Sequence, residues 1–403
     1  MPGMGDGSCH DKGAWEDGFS VLLFYLYVDD LPAIVGMPDM EAARAAHEAA
    51  CRHFGLDGRL RVSREGLNGN LSGRTGRCTG YCSFLRGEEA SACAELEPMA
   101  GLRGSMSACD FKLAPCKKEQ CFKGLKVWVA NEVTGLWGDQ AVWSDQLEAD
   151  RLELAQLPGG LHLPPHQFHE RLAAASSARA DGQSDVVLFD ARNLYETRVG
   201  RFDTPGVPLI DPGTRNFSDL RAYFEDADNL DRMRGKEVFM YCTGGVRCER
   251  SSALLVKTGV AKAVYQLEGG IQRYMDTYPG TDGADAGFFA GKMHVFDHRG
   301  CVAPDGTLGS TEIKEDRNTS ENTISRCLLC GRLWDQYKGK RRCSGCNTLV
   351  LVCEHCQSAG RDRRSAALRC ELCVTTGTPS QVMASTGDTE QEAASKRGKT
   401  GGS

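Results

Sequence analysis

The pattern of apolar residues in the first third of the chain alternates between strand-like and helix-like spacing. Residues 20–28 form an apolar run rich in β-branched and aromatic side chains, which is typical of a buried strand. The predicted elements are strand 20–28, helix 39–54, a strand pair within 58–73, helix 80–97 and strand 124–133. The strand pair is predicted around Arg64–Gly69, where Asn68–Gly69 is a turn signal. This β-α-β-β-α-β order predicts a ferredoxin-like α+β domain over residues 19–140.

A second pattern begins near Pro164, after a linker-like stretch (135–163) with helical character at 144–157. The predicted elements are strands at 186–190, 237–241 and 263–267 and helices at 165–173, 193–197, 217–226, 250–258 and 270–277. Strands that alternate with helices predict a parallel sheet with helices on both faces. Residues 160–285 are therefore predicted to be an α/β domain, in which ligands bind beyond the carboxyl ends of the strands.

The remaining segments have a different character. Residues 286–325 are irregular and predict a linker or extension, and residues 326–374 form a small cysteine-rich module. Residues 1–18 and 375–403 are polar and rich in small residues, which predicts disordered termini. The fold class predicted for the whole chain is a multidomain α/β protein.

Composition excludes some classes of protein. The chain has 403 residues, 41% of them hydrophobic and 25% charged, which is ordinary for a globular protein of two or three domains. No run of about 18 apolar residues is present, so we expect no membrane partner. The first 18 residues lack a secretory signal, and the cytoplasm is the expected compartment, with organelle targeting left open. Nothing in the sequence indicates an oligomeric state.

Eight of the nineteen cysteines form four C-x2-C pairs near the carboxyl end. They are Cys327, Cys330, Cys343, Cys346, Cys353, Cys356, Cys370 and Cys373. Without a secretory signal this spacing favours metal over disulfides, and it predicts two structural four-cysteine zinc sites. Iron–sulfur ligation is the alternative. The pairs could combine in sequence or interleaved, and we favour the interleaved pairing.

The cysteine-rich module is basic, whereas the rest of the chain is acidic. Residues 326–373 contain ten Lys or Arg and four Asp or Glu, a charge of +6, and the whole chain carries −6, which leaves −12 elsewhere. This asymmetry predicts a polyanionic partner or, equally, a solvated basic surface. The residues of the predicted phosphate-binding surface are Lys338, Lys340, Arg341, Arg342, Arg361, Arg363 and Arg364. Trp334 and Tyr337 either stack on bases or fill a core.

The candidate for catalysis is Cys242, on a glycine-bearing loop between a predicted strand and a predicted helix. Backbone N–H groups and the helix N-terminus favour an anion there, which predicts a reactive thiolate. Gly244 and Gly245 allow the loop of Thr243 to Val246 to turn its N–H groups inward. Arg247 follows in C-x4-R spacing, where its guanidinium could face a bound oxyanion. Cysteine phosphatases use the longer C-x5-R loop, so the shorter one favours a sulfur atom carried on the cysteine.

This loop resembles the active loop of rhodanese-superfamily proteins, in which the matching cysteine carries a persulfide. Asp190–Ala191–Arg192 after a strand resembles the acidic-x-Arg turn of that fold. Arg192 and Arg201 are candidates to contact a substrate phosphate, with a salt bridge to Asp190 or Glu196 as the equal alternative. Cys248 could resolve an oxidised Cys242, although a buried helix residue is the favoured interpretation.

A narrower resemblance extends over about residues 20–373, to the oxygen-dependent tRNA uridine 5-hydroxylases of the TrhO type. Its motifs are Arg64–Gly69 with Ser72–Gly73, Leu125–Val129 with Glu132, Asp190–Asn193 with Tyr195–Glu196, Gly200–Phe202, Tyr241–Glu249, Tyr265–Ile271, and Gly291–Lys292 with Val295–Asp297. The chain departs from the pattern at Asn131, where a basic residue is expected, and at the insertion-like segment between Cys116 and Cys121, expected to be a loop.

The resemblance implies a tRNA partner and an oxidoreductase in which Cys242 is essential for forming 5-hydroxyuridine at the wobble position with O2. No flavin or haem motif is visible in the sequence. Two chemical hypotheses remain open: Cys242 adds to the uracil ring, or a persulfide or oxidised thiol is the reactive species. The alternative functions are a thiosulfate or persulfide sulfurtransferase and a non-enzymatic, zinc-stabilised binding protein.

Overall fold

The computed structural model describes residues 18–88, 99–138, 144–177, 184–280, 287–306, 322–337, 339, 341–364 and 368–375. Apart from Gly18 and Thr375, the predicted disordered termini lie outside these residues, as do Lys338 and Lys340. Within the described residues, no helix has the length and apolar character needed to cross a membrane.

The N-terminal domain is built on a five-stranded sheet. Its elements are β1 (Phe19–Tyr27), α1 (Leu31–Ile34), α2 (Met40–His53), β2 (Asp57–Ser63), β3 (Gly66–Arg74), α3 (Thr75–Arg86), β4 (Lys112–Cys116) and β5 (Leu125–Val129). The strand order is β4-β1-β3-β2-β5. The first four strands pair antiparallel, which is the split βαβ arrangement and confirms the predicted ferredoxin-like fold. β5 adds a fifth strand parallel to β2.

Two local predictions for this domain were wrong. The hairpin turns at Arg64–Glu65, and Asn68–Gly69 lies inside β3, where Asn68 pairs with Tyr25 of β1. A side chain at Gly69 would place its Cβ 2.4 Å from Cε1 of Phe24, so this glycine gives room to a packed ring and does not form a turn. The last strand of the split βαβ is β4, which was not predicted and which ends at Cys116, where the insertion-like segment begins. The strand predicted at 124–133 is the added β5.

The second domain has a parallel sheet. Its elements are α4 (Asp145–Gln156), β6 (Leu161–Leu163), α5 (Pro165–Ser177), β7 (Val186–Asp190), α6 (Leu194–Val199), β8 (Gly200–Phe202), β9 (Leu209–Ile210), α7 (Asp219–Glu225), α8 (Ala227–Asp231), β10 (Glu237–Tyr241), α9 (Val246–Thr258), β11 (Ala263–Leu267) and α10 (Gly270–Thr277). The sheet order is β6-β11-β10-β7-β9, and all its pairs are parallel, as predicted.

Alternate residues of the central strands face two separate cores of the second domain. Val238 and Met240 of β10 pack in a cluster with residues of α7 and α9, whereas Phe239 and Tyr241 pack in a cluster with residues of α5 and α10. Helices therefore cover both faces, and the carboxyl end of the central strand β10 opens at the edge where ligands bind in such folds.

The carboxyl-terminal part is attached to this domain by short pairings. Its elements are β12 (Phe289–Gly291), β13 (Met293–His294), β14 (Cys301–Val302), α11 (Glu354–Ser358), α12 (Arg361–Arg364) and α13 (Glu371–Thr375). β12 pairs with β8, and Lys292 forms a buried ion pair with Asp335, with Nζ and Oδ2 2.6 Å apart. The stretch predicted as irregular thus contains three short strands that fix the cysteine-rich module in place.

The N-terminal domain docks directly on the second domain through Glu65. Its carboxylate accepts hydrogen bonds from Arg151 Nη1 at 3.2 Å and Arg250 Nη2 at 2.8 Å, and from the backbone N–H of Val133 at 2.8 Å. The Glu65 side chain is 7% exposed. One buried carboxylate therefore joins the hairpin of the N-terminal domain to α4 and α9 of the second domain.

Replacing Glu65 with alanine should destabilise the protein by about 3 kcal/mol, because two arginines lose the buried charge that pairs with them. The free energy of unfolding from a urea titration measures this. Glu237→Ala is the matched control, since its pair with Lys262 is largely exposed and should be worth at most about 1 kcal/mol. An equal loss of unfolding free energy in the two variants would contradict the role of Glu65 in holding the two domains together.

Candidate functional site

Cys242 lies at the carboxyl end of β10, and its loop leads directly into α9. The helix begins at Val246, four residues earlier than predicted, so its N-terminus faces the cysteine sulfur. Gly245 has φ of 102°, which favours glycine, and its N–H donates to Cys242 Sγ at 3.1 Å. Backbone dipoles therefore surround the sulfur with positive potential.

The N-terminus of α10 holds the loop from its other side. The N–H of Ile271 donates to the Cys242 carbonyl at 2.9 Å, and that of Gln272 donates to the Thr243 carbonyl at 3.1 Å. A Cβ on Gly270 would lie 2.6 Å from the Cys242 oxygen, so the close approach requires glycine. The Glu268–Gly269–Gly270 motif thus allows the N-terminus of α10 to contact the Cys242 loop and hold it in place.

The environment of Cys242 favours its thiolate. Burial alone would raise the pKa of this thiol, but a hydrogen bond from the Cys248 thiol, the charge of Arg247 and the N–H groups of Arg247 and Cys248 outweigh burial and lower the pKa to about 5. Cys242 is therefore ionised at neutral pH. The thiolate is the form of cysteine that reacts as a nucleophile.

Arg247 pairs with Glu196 and also lines the space over the loop, and contact of its guanidinium with a bound oxyanion stays a prediction. Its two Nη atoms lie 2.6 and 2.7 Å from the Glu196 carboxylate oxygens, and Thr243 Oγ1 donates to the same carboxylate at 3.2 Å. Burial raises the pKa of Glu196, but the Arg247 guanidinium lowers it to about 2. The sequence interpretation considered Glu196 only as a partner of Arg192 or Arg201 and missed this role.

Asp190 and Arg192 form a buried support below the site. The Arg192 guanidinium donates to both Asp190 oxygens, at 2.8 and 2.6 Å, and its Nη2 also donates to the Gly200 carbonyl at 2.7 Å. Arg192 is fully buried, so the salt bridge, and not a contact to substrate phosphate, is its role here. Thr197 donates to Asp190 at 2.9 Å, which fixes α6 and with it the position of Glu196.

Cys248 is fully buried in the first turn of α9, which agrees with the favoured interpretation. Burial raises the pKa of its thiol well above the usual range, and so does its hydrogen bond to Cys242. Cys248 therefore stays protonated and acts as a donor to the neighbouring thiolate. Its role as a resolving cysteine remains a prediction.

A cavity of about 390 Å³ lies over the Cys242 loop, between the two domains. The side chains that line it include Tyr25, Arg61, Asn68, Asn70 and Trp128 of the N-terminal domain and Phe296 and Arg299 of the carboxyl-terminal extension. The domains meet closely at the loop: a Cβ on Gly244 would lie 2.8 Å from Leu23 Cδ2, and one on Gly245 would lie 2.8 Å from Tyr25 Oη.

The sequence interpretation did not predict that the N-terminal sheet would form part of the site. A signal was present, because β3 has the polar residues Asn68 and Asn70 at alternate positions, where a covered sheet face would usually carry apolar residues. Tyr25 Oη donates to Glu249 Oε1 at 3.0 Å, which ties the same sheet face to α9.

The eight cysteines of the module assemble into two groups of four. Cys327, Cys330, Cys353 and Cys356 form one group, and Cys343, Cys346, Cys370 and Cys373 form the other, with all four sulfur atoms of a group within 4.8 Å of one another. This confirms the interleaved pairing. Each group could hold one metal ion.

The two groups repeat the same local structure. Arg326 bridges to Leu333 around the first C-x2-C pair, and Arg342 bridges to Leu349 around the second. The N–H of Cys353 donates to Cys327 Sγ at 3.3 Å, and that of Cys370 donates to Cys343 Sγ at 3.2 Å. Such N–H···S bonds stabilise thiolates that share a cation.

The predicted nucleic-acid surface of this module is only partly supported. Trp334 is buried, and Tyr337 donates through its hydroxyl to the Tyr195 carbonyl at 2.6 Å, so both fill the core and neither stacks on a base. Arg341 pairs with Asp362 at 2.7 Å, and Arg342 donates to the Asn347 carbonyl. The side chains of Arg363 and Arg364 lie outside the described residues.

The rate of Cys242 alkylation by iodoacetamide should rise with pH through about 5 and then level off, because the thiolate is the reacting form. Cys248→Ala removes a donor to that thiolate and should move the midpoint to higher pH. Peptide mass spectrometry of the full-length protein gives the rate at this site, and Cys301→Ala serves as the buried-cysteine control. A wild-type midpoint near the ordinary value of about 8.5 would contradict the proposed stabilisation.

Three family models match the chain: a UPF0176 acylphosphatase-like domain at residues 19–133, a Rhodanese-like domain at 172–277 and a Rhodanase C-terminal region at 290–375. Among curated proteins, rhodanese-like domain-containing protein 6 of Arabidopsis thaliana is 34% identical over 92% of this chain. The match spans only 56% of that longer protein.

Two bacterial relatives match along nearly their whole length. The tRNA uridine(34) hydroxylase of Pseudarthrobacter chlorophenolicus is 29% identical, over 84% of this chain and 94% of that protein. The tRNA uridine(34) hydroxylase of Rhodococcus erythropolis is 30% identical, over 83% of this chain and 96% of that protein. Because the Rhodococcus protein is 30% identical and is matched over nearly its whole length, the chain belongs to the family of proteins named tRNA uridine(34) hydroxylase.

Proposed function

We propose that this protein hydroxylates uridine 34 of tRNA to 5-hydroxyuridine, with Cys242 as the reacting side chain and O2 as co-substrate. The names of the bacterial relatives support the substrate and the reaction. The observation that carries the proposal is the cavity of about 390 Å³ with a stabilised thiolate in its wall. We place the reaction in the cytoplasm.

The cavity suits a nucleobase better than a small sulfur compound. Its volume falls within the range of about 300 to 1,000 Å³ typical of ligand pockets. Enzymes that act on a base extrude it into such a pocket, stack it on aromatic side chains and bind its edge through hydrogen bonds. Trp128, Phe296, Asn68 and Asn70 supply both kinds of contact. A sulfurtransferase with thiosulfate as substrate requires neither stacking on aromatic rings nor hydrogen bonds to the edge of a base.

The thiolate also suits the chemistry of uracil. Addition of Cys242 Sγ to C6 of the ring makes C5 electron-rich, and C5 is the carbon that becomes hydroxylated. O2 then supplies one oxygen atom to C5 and the other to water, which takes two electrons from an external donor and, in net, two protons from solvent. Loss of the C5 proton and departure of the thiolate from C6 then restore the C5–C6 double bond. Arg247 and Cys248 keep Cys242 ionised before the addition.

The two cysteine groups are proposed to hold structural zinc. A tetrahedral ion with Zn–S bonds of about 2.3 Å places its sulfur atoms about 3.8 Å apart. Cys330 and Cys353 lie 3.6 Å apart, as do Cys346 and Cys370, and no sulfur in a group is more than 4.8 Å from another. A four-iron cluster bonds each thiolate to a different iron and needs wider spacing. Four protein ligands leave no open position for catalysis.

Cys242→Ser should reduce formation of 5-hydroxyuridine in purified tRNA to below about 1% of wild type, because a hydroxyl group is not ionised at neutral pH. Nucleoside mass spectrometry measures the product, and Cys301→Ser is the control that should retain activity. Hydroxylation by the serine variant would contradict the role of Cys242. Thiosulfate:cyanide activity in a wild-type protein that forms no 5-hydroxyuridine would favour the sulfurtransferase alternative.

Elemental analysis of the purified protein should find two zinc ions per chain, and Cys356→Ala should lower this to one, because it removes a ligand from a single group. Cys301→Ala should leave both ions bound, since Cys301 belongs to neither group. Iron in place of zinc, or the loss of both ions from the Cys356 variant, would contradict two independent zinc sites.

A further inference from the structure

One face of the N-terminal sheet carries a row of large polar and aromatic side chains across four strands. Tyr25 of β1 pairs with Asn68 of β3, Asn68 pairs with Arg61 of β2, and Arg61 pairs with Trp128 of β5. Because paired residues of a sheet point to the same side, these four side chains form one continuous line. All four line the cavity over Cys242.

A second row runs parallel to the first. Leu23 of β1 pairs with Asn70 of β3, and Asn70 pairs with Arg59 of β2. All three side chains line the same cavity, and Leu23 is the residue that lies against Gly244 of the cysteine loop. The opposite face of the sheet is covered by α2 and α3, with Phe24 and Leu60 in that core. The two rows are therefore not part of the domain's own core.

The chemistry of the rows suits a single-stranded nucleotide. Trp128 places an aromatic ring in the cavity wall, and the cationic groups of Arg61 and Lys126 lie over this ring, 5.8 and 5.3 Å from its centre. An aromatic ring combined with positive charge is the pairing that single-stranded nucleic acids bind. Phe296, 57% exposed, provides a second ring across the cavity, from the extension. RNA-recognition domains bind unpaired bases in a comparable way, through aromatic residues on one face of a four-stranded sheet.

Asn70 supplies a hydrogen-bonding group that has no partner within the described part of the chain. Its Oδ1 is buried and accepts no hydrogen bond there. Buried acceptors of this kind are rare, because each one loses its bonds to water. Uracil has a donor at N3–H, whereas cytosine has an acceptor at the same position. The neighbouring Asn68 is fixed by a hydrogen bond from its Nδ2 to the Val133 carbonyl at 3.3 Å.

We propose that this sheet face is the binding wall for the target base, with Trp128 as the stacking residue and Asn70 as the residue that distinguishes uracil from cytosine. The ligand class is an unpaired pyrimidine nucleotide within an RNA loop. The assignment of uracil as the bound base rests on the proposed function. The assignment of this sheet face as a base-binding surface does not. The N-terminal domain would then determine which base reaches Cys242.

Binding of two synthetic anticodon stem-loops, with uridine or cytidine at position 34, tests this proposal in the full-length, zinc-loaded protein. Trp128→Ala should weaken binding of the uridine RNA by about tenfold or more, and Trp128→Phe should retain most of the affinity. Asn70→Ala should reduce the preference for uridine over cytidine by about fivefold. Fluorescence anisotropy gives the Kd values, and KM for hydroxylation should follow them.

Two control variants match these substitutions. Val129→Ala changes the residue next to Trp128, which lies on the opposite side of β5, and Asn229→Ala changes an asparagine of α8 outside the cavity. Neither should alter the Kd or the base preference. Circular dichroism of each variant separates loss of binding from loss of folding, and Trp128→Phe keeps the test valid if Trp128→Ala does not fold.

The outcomes separate this inference from the proposed function. If hydroxylation occurs but the Trp128 and Asn70 variants bind and turn over both RNAs like wild type, the binding wall is wrong and the proposed function stands. If both variants lose binding or preference as expected and wild type forms no 5-hydroxyuridine, the wall stands and the proposed function is wrong.

Discussion

The structure depends on keeping a thiolate ionised inside the protein. Burial of Cys242 by itself raises the pKa of the thiol, so the charge persists only because donors surround the sulfur. The N-terminus of α9, the thiol of Cys248 and the guanidinium of Arg247 provide them. Glu196 holds that guanidinium in a fixed position through two hydrogen bonds. The positive charge of Arg247 still contributes to the lowered pKa of Cys242, which is about 5.

The second domain alone would leave this thiolate at an open edge of the sheet. Docking of the N-terminal domain encloses it, because the sheet of that domain meets the cysteine loop through Leu23 and Tyr25. The Glu65 carboxylate, shared by arginines of α4 and α9, fixes the orientation of the two domains. A site built between two domains can exclude water and still admit a large substrate at its mouth.

The carboxyl-terminal module stabilises the site through its contact with α6. Tyr337 of the module binds the Tyr195 carbonyl of α6, the helix that carries Glu196, and Lys292 ties β12 to Asp335. The interleaved cysteine groups fold this segment around two centres without a large hydrophobic core. The module therefore contributes to the position of Glu196, although none of its described residues lines the cavity.

The sequence by itself determined the features that depend on local spacing. Strand β10, the glycine-bearing loop, the helix after it and the C-x2-C pairs each depend on residues close together in the chain, so pattern and stereochemistry were sufficient to predict them. The parallel sheet of the second domain and the ferredoxin-like order of the first followed from the alternation of elements.

Only the tertiary structure decided what depends on distant residues. Asn68–Gly69 has the local signal of a turn, yet packing of the Phe24 ring against Gly69 makes it part of a strand. Arg247 pairs with Glu196, which lies 51 positions away in the chain. Sequence spacing alone could not distinguish this pair from a pair between Glu196 and Arg192. The cavity wall of Asn70 and Trp128 exists because two domains meet over Cys242, and contacts between domains leave no periodic pattern in the sequence.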